Sequence, residues 1–261
     1  MKIGIFGAGQ MGGAMIKGWV NSKKIIPSDI LVKGGKGQTA KNLQKDISFL
    51  MTNELSEFNH VDIIFLALNT PLINSTLKSL TSTLNKDIPI VSVSAGVPLS
   101  EMQLIVGENY PIAQAIPNTP VQINQGIIGI VFPELIKPED KKIILDSLNY
   151  LGLVEEITPE KIDIFGTIAG CGPAFVDVFI ESLGDAGVLH GLNRELAYKV
   201  AAKMMSGSAN LLLETKKHPA ELKDEVTSPG GTTIKGVTTL EKEGFRNAVI
   251  EGINSIMQSY E

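Results

Sequence analysis

The feature that most narrows the fold lies at the N-terminus, in the stretch KIGIFGAGQMGG. Gly7, Gly9 and Gly12 stand in G-x-G-x-x-G spacing, behind a short apolar run and ahead of a segment of helical period. The spacing alone also occurs in ordinary turns, but between a strand and a helix it acquires a physical meaning. The first glycine permits a tight turn, the second lets the backbone approach a pyrophosphate, and the third lets helix and strand pack closely. The helix then offers unpaired N–H groups to the phosphates. The stretch therefore predicts a dinucleotide-binding strand–turn–helix unit.

The rest of the first 158 residues repeats that alternation. Strands are predicted over Lys2–Phe6, Ile30–Lys33, Val61–Leu66, Ile90–Val93, Ile112–Ile116, Ile127–Phe132 and Val154–Ile157, with helical segments such as Met11–Asn21 and Pro71–Leu84 between them. Runs apolar at consecutive positions, as in VDIIFLAL, suit strands buried on both faces of a parallel sheet. Alternation of this kind predicts a doubly wound α/β domain over residues 1–158. After Pro159 the strand signal disappears and residues 159–261 read as helices. Phe175, Phe179, Leu183 and Ala186 share a face, Pro173 suits a helix first turn, Gly191 suits a stop, and Asn193 suits the N-cap of a helix over Arg194–Glu214. A short helix is predicted from Pro219 to Val226, then helices to the end with a break near Gly244. Helices this apolar on more than one face need a partner. The fold class is thus an α/β Rossmann-type dinucleotide-binding domain followed by an all-α dimerisation domain.

Composition removes several classes of function. A formal net charge of -5 leaves no basic block to neutralise phosphates, which argues against a nucleic-acid or anionic-membrane surface. One cysteine, Cys171, rules out an internal disulfide framework and fits a reducing compartment. No unbroken apolar run reaches the length of a membrane span, and a strand rather than a targeting segment opens the chain. The expectation is a soluble cytoplasmic protein. His60, His190 and His218 are scattered and, with one cysteine, give no metal-ligand spacing. Neither a G-x-S-x-G elbow nor a Walker loop is present, so a nicotinamide cofactor would supply the chemistry and the protein the positioning.

The cofactor is chosen at the end of the second strand. An NAD site usually carries an acid there to accept the ribose 2′-hydroxyl. This chain reads LVKGGKGQ, with Lys33 and Lys36 and no carboxylate. Lysines attract a 2′-phosphate that an acid would repel, so NADPH is favoured and NADH is the alternative donor.

Taken together the residues resemble the pyrroline-5-carboxylate reductase family along essentially the whole chain. The segments that carry the resemblance are SVSAGVPL (Ser92–Leu99), IPNTP (Ile116–Pro120), AGCGPAFV (Ala169–Val176) and PAELKDEVTSPGGTTIKGVTTLE (Pro219–Glu241). The resemblance implies NAD(P)H-dependent reduction of the cyclic imine L-1-pyrroline-5-carboxylate to L-proline, the last step of proline biosynthesis. It implies a homodimer through interleaved C-terminal helices, and in the family such dimers also assemble into decamers. Gly7, Gly9, Gln10, Met11 and Gly12 are implied at the pyrophosphate, Asn53 beside the adenosine ribose, and Ala67, Leu68, Asn69, Ser94, Ala95 and Gly96 along the ribose and nicotinamide. Asn118 is implied in a loop that walls the active site. The backbone amides of Gly230, Gly231 and Thr232 are implied to hold the substrate carboxylate, with Ser228 in the same loop. The Thr233 hydroxyl is implied as the catalytic contact to the ring nitrogen. Two positions depart from the family pattern: Asn69 stands near a place where a lysine is common, and Gln114 where an arginine is frequent.

Two other functions share parts of this pattern. A β-hydroxyacid dehydrogenase has the same domain order but needs a helix lysine with an asparagine four residues on, to take the alcohol proton. Here Lys199 is followed by Lys203, and Lys203 by Gly207. A non-enzymatic NADP(H)-sensing dimer would need the fingerprint but not the TSPGGTT loop of Thr227–Thr233, which contains no charge and suits a carboxylate-bearing ligand.

Overall fold

A computed structural model describes residues 1–84, 88–94 and 96–260. It divides into two compact units, Met1–Gly170 and Cys171–Glu261. The first unit opens with β1 (Ile3–Phe6), α1 (Gln10–Asn21), β2 (Ile30–Lys33), α2 (Thr39–Ile47), β3 (Leu50–Met51), β4 (Ile63–Leu66), α3 (Thr70–Thr83) and β5 (Ile90–Ser92). It continues with α4 (Leu99–Val106), β6 (Ile112–Pro117), β7 (Gly126–Val131), α5 (Pro138–Asn149), β8 (Gly152–Glu156) and α6 (Ile162–Gly166).

Among the described residues the strands form one sheet in the order β3-β2-β1-β4-β5-β6-β7-β8. Both faces are covered, which is why successive residues of one strand are buried. Ile63 and Phe65 join Met15, Ile16 and Trp19 of α1 on one face; Ile64 and Leu66 join Ile73, Leu77 and Leu80 of α3 on the other. The Trp19 indole N–H donates to the Ser147 carbonyl at 2.9 Å, so the largest buried side chain leaves no polar atom stranded.

Two features differ from the reading of the sequence. β7 runs antiparallel to β6, whereas the apolar runs suggested parallel strands throughout. The 118–125 connection is too short for a crossover, because a parallel return needs a dozen or more residues. β3 was not anticipated: it is a two-residue edge strand, too short to carry a periodic signal.

The second unit contains α7 (Gly172–Leu189), α8 (Arg194–Thr215), α9 (Pro219–Glu225), α10 (Thr232–Lys242) and α11 (Phe245–Met257). Pro173 falls in the first turn of α7, and Asn193 caps α8 by accepting from the Leu196 N–H at 2.8 Å. Helices α7 and α8 approach closely because Gly184 leaves room for the Tyr198 ring, which a Cβ would strike. Phe179 meets Phe245 of α11 with ring centroids 5.6 Å apart. The chain is already helical from Ile162, through a wide π turn at Thr167–Cys171, earlier than the start suggested by Pro173.

That early start lengthens the helix. Pro159–Leu189 forms a 31-residue helical run, long and apolar enough by length and composition to cross a membrane, with a mean hydropathy of 1.4 in its most apolar window. Scattered acids such as Asp177 and Glu181 break the unbroken apolar run sought in the sequence without breaking the helix.

Candidate functional site

The strand order reverses between β1 and β4, since the chain moves outward from β1 to β2 and β3 before returning to the opposite side of β1. In open α/β sheets ligands bind beyond the carboxyl ends of the strands at such a reversal. A cleft of about 530 Å³ opens there, lined by Gly9, Gln10 and Met11 after β1, Ala67–Pro71 after β4, and Val93, Ser94 and Gly96 after β5. It gathers eight of the cofactor residues expected from the sequence: Gly9, Gln10, Met11, Ala67, Leu68, Asn69, Ser94 and Gly96. Ala95 lies outside the described residues. Thr70, Pro71 and Val93 line the same cleft and were not singled out; a hydroxyl followed by proline at a strand-to-helix junction was the signal available for the first two.

The three fingerprint glycines are separated by function. Gly7 has φ +96°, in the region that favours glycine, and a Cβ there would collide with the Ala67 carbonyl. A Cβ on Gly12 would collide with the Gly7 carbonyl, so this position closes helix onto turn. A Cβ on Gly9 would meet nothing within 4 Å, which leaves its exposed backbone open toward the cleft. Gly9 is the N-cap of α1 without a capping side chain, and no acid occupies the first turn. An uncapped helix N-terminus behind a bare glycine is a fitting seat for a diphosphate.

At the end of β2 the Lys33 ammonium donates to the Asn53 carbonyl at 2.8 Å. The structure thus joins two residues that the sequence assigned separately to the adenosine end. Lys36 stands exposed on the loop after β2. Across the cleft, the Ser94 hydroxyl donates to the Leu68 carbonyl, and a Cβ on Gly96 would press on the Thr70 side chain.

Asn118 is buried at the end of β6, and its Oδ1 accepts from the Ile127 N–H at 3.0 Å. One face of this side chain is therefore spent on holding β7 in place. Gln114, four residues earlier, is also buried and bonded at both ends of its amide: Oε1 accepts from Leu99 N–H at 3.1 Å and Nε2 donates to the Val97 carbonyl at 3.1 Å.

The substrate-loop residues lie in the second unit. Thr227 closes α9 by donating its hydroxyl to the Lys223 and Asp224 carbonyls at 3.1 and 3.2 Å. Ser228–Gly231 then forms a turn in which the Gly231 N–H donates to the Ser228 carbonyl at 3.0 Å. Proline at the second position and Gly230 at φ +72° in the third are the requirements of a type II turn. A Cβ on Gly231 would press on the Ser228 hydroxyl. Helix α10 follows at once, with Gly231 as an N-cap that carries no side-chain cap, no acid in the first turn, and Thr232 and Thr233 exposed. The turn engages the Gly231 amide, so the amides still facing outward at this helix start come from the residues beside it.

A family model described as pyrroline-5-carboxylate reductase dimerisation matches residues 159–261, and one described as NADP oxidoreductase, coenzyme F420-dependent, matches residues 2–96. The pyrroline-5-carboxylate reductase of Escherichia coli (strain K12) is 38% identical over 261 residues, which span 100% of this chain and 97% of the relative. The crystal structure of Plasmodium falciparum pyrroline carboxylate reductase with NADP bound is similar with a TM-score of 0.87 at 30% identity, over 99% of this chain and 96% of that one. The 1-pyrroline-5-carboxylate reductase of Streptococcus pyogenes gives a TM-score of 0.85 at 29% identity, over 99% and 97% of the two chains.

Proposed function

The chain belongs to the pyrroline-5-carboxylate reductase family, and on that premise we propose that it reduces L-1-pyrroline-5-carboxylate to L-proline with NADPH, NADH being the alternative donor. The observation that carries the reading is the start of α10: an uncapped, acid-free helix N-terminus held open behind the Pro229–Gly230 turn. Such a terminus suits a carboxylate without a buried arginine. Gly230 and Thr232 supply the anchoring amides, Gly231 keeps the approach clear of a side chain, and Ser228 closes the turn beneath them. The family resemblance implies a substrate-binding role for Asn118 as well.

The cofactor side rests on the cleft at the sheet reversal. Gly7, Gly9, Gln10, Met11 and Gly12 would hold the pyrophosphate, and Lys33, Lys36 and Asn53 the adenosine ribose and its 2′-phosphate. Ala67, Leu68, Asn69, Ser94, Ala95 and Gly96 would line the nicotinamide ribose and ring. When bound, the reduced nicotinamide supplies a hydride to the imine carbon. Thr233 holds the ring nitrogen, accepting from its N–H if the imine arrives protonated and donating to it if the imine arrives neutral. No strong general acid is needed in the first case; in the second, the Thr233 hydroxyl would relay a proton from water to the nitrogen as hydride arrives. Fixing both reactants in near-attack geometry contributes about 7–11 kcal/mol, so orientation carries most of the rate.

Residues 1–158 act as the cofactor domain and 159–261 as the substrate and dimerisation domain, a division supported by a family match that begins at residue 159. We assign a homodimer through the C-terminal helices, with a decamer as its higher assembly. The single cysteine and acidic composition support a cytoplasmic protein that binds neither nucleic acid nor membrane, the apolar helix Pro159–Leu189 serving the dimer instead.

Following NADPH absorbance with and without pyrroline-5-carboxylate tests the reading. Imine-dependent oxidation is expected, whereas binding without oxidation points to a sensor and NAD(P)+-driven oxidation of a hydroxyacid to a dehydrogenase. In Thr233→Val, kcat/KM for the imine should fall more than about tenfold with NADPH binding little changed, equivalent to loss of about 1.4 kcal/mol in the transition state. Full activity in this variant would remove the role given to the hydroxyl.

A further inference from the structure

Ser94 and Gly96 line the cofactor cleft on the segment that leads from β5 into α4. At its near end the segment is tied to the β4 side by the Ser94 hydroxyl on the Leu68 carbonyl. At its far end lies Pro98, which has no N–H to offer a ladder. The two backbone groups that flank this proline, the Val97 carbonyl and the Leu99 N–H, are both bonded by one side-chain amide, that of Gln114. The Leu99 N–H is an orphan donor of the first turn of α4, whose N-cap is Pro98 and which has no cap of its own. Gln114 is only 3% exposed and stands on β6 opposite Ser92 of β5, the strand that feeds the segment.

We propose that Gln114 is a positioning residue for hydride transfer, an amide clamp on the Val97 carbonyl and the Leu99 N–H that fixes the neighbouring cleft residue Gly96 against the nicotinamide end of the cleft. The inference rests on the assignment of Ser94 and Gly96 to the nicotinamide made above. A neutral amide presents an acceptor and a donor side by side and so satisfies both backbone groups, which an apolar side chain or an ionised carboxylate does not. A buried partner lost from either would leave an unsatisfied group and release the segment. Misplacement of reacting groups by about 1 Å costs on the order of a hundredfold in rate, so the effect should appear in kcat before it appears in substrate affinity.

The test uses the full-length enzyme and two substitutions at this position. In Gln114→Leu both bonds go, and kcat should fall about tenfold or more at every pH, with a smaller change in KM for the imine. In Gln114→Glu the new group still accepts from Leu99, but it can donate to Val97 only when protonated. Its kcat relative to the parent should therefore be highest at acid pH and decline as the buried carboxyl ionises, a limb absent from the parent and from Gln114→Leu. A residue that merely fills the core would lower Tm in both variants without adding a pH limb. A Gln114→Glu profile parallel to the parent overturns the clamp. Ser94→Ala separates the two layers of the argument. If it leaves NADPH affinity and kcat unchanged, the segment does not face the cofactor and the site assignment fails. If it lowers them while Gln114→Glu keeps the parent profile, the clamp alone fails.

Discussion

The two units solve the problem of burying apolar surface in different ways. In the first, strands such as Ile63–Leu66 are buried on both faces by helices of the same chain. In the second, Ala197 and Ala201 are the buried apolar side chains among the described residues, while Val178 is 63% exposed and Leu213 67%. Helices α9, α10 and α11 bury none of their residues. A sheet can close its own core, but five helices with apolar residues on several faces cannot. The second unit is thus half of a core, and the family match to a dimerisation domain over residues 159–261 says where the other half comes from: this domain is where the chain oligomerises.

The largest expected effect breaks that contrast directly. If the proposed homodimer buries this face, Val178→Asp on α7 should yield monomer in analytical ultracentrifugation and reduce turnover about a hundredfold or more, since a charge buried without a partner costs several kcal/mol. Leu104, which is 86% exposed on α4 of the first unit, is the matched control: Leu104→Asp should leave mass and activity as they were. Monomers from both, or from neither, would erase the distinction between the units.

The next pair sharpens the comparison within the first unit. Gly12→Ala drives a Cβ into the Gly7 carbonyl and should lower stability by about 1–3 kcal/mol, read as a fall in Tm, together with loss of NADPH binding. Gly9→Ala meets no protein atom, so Tm should hold while NADPH affinity drops. Equal Tm losses in the two would mean that Gly9 serves packing rather than the ligand. The smallest effect belongs to Lys33→Ala. The preference for NADPH over NADH should narrow by up to about tenfold, or about 1.4 kcal/mol, with little change in kcat for the imine. An unchanged ratio would transfer the 2′-phosphate to Lys36 or to neither lysine.

What was legible in the sequence was what local chemistry controls. Gly7 and Gly12 announced a strand–turn–helix junction because each answers a nearby steric demand, at Gly7 with a φ of +96°, while Gly9 leaves the backbone bare between them. Asn193 announced a helix start because an N-cap bonds three residues on, as it does to Leu196. Pro229 and Gly230 announced a turn because their own dihedrals define it. The resemblance along the whole chain likewise followed from motifs each read within a short window.

Other features depended on segments that meet only after folding. The direction of β7, the edge strand at Leu50–Met51, the bond from Lys33 to Asn53 and the Gln114 grip on Val97 and Leu99 join residues that no window of periodicity connects. Gln114 read in sequence as a departure from a pattern, because an amide's role is set by what lies across from it. By itself the sequence determined most of the elements, the glycine turn and the family. Tertiary structure decided which backbone groups those side chains would reach, since a hydrogen bond depends on distance in space and not on separation along the chain.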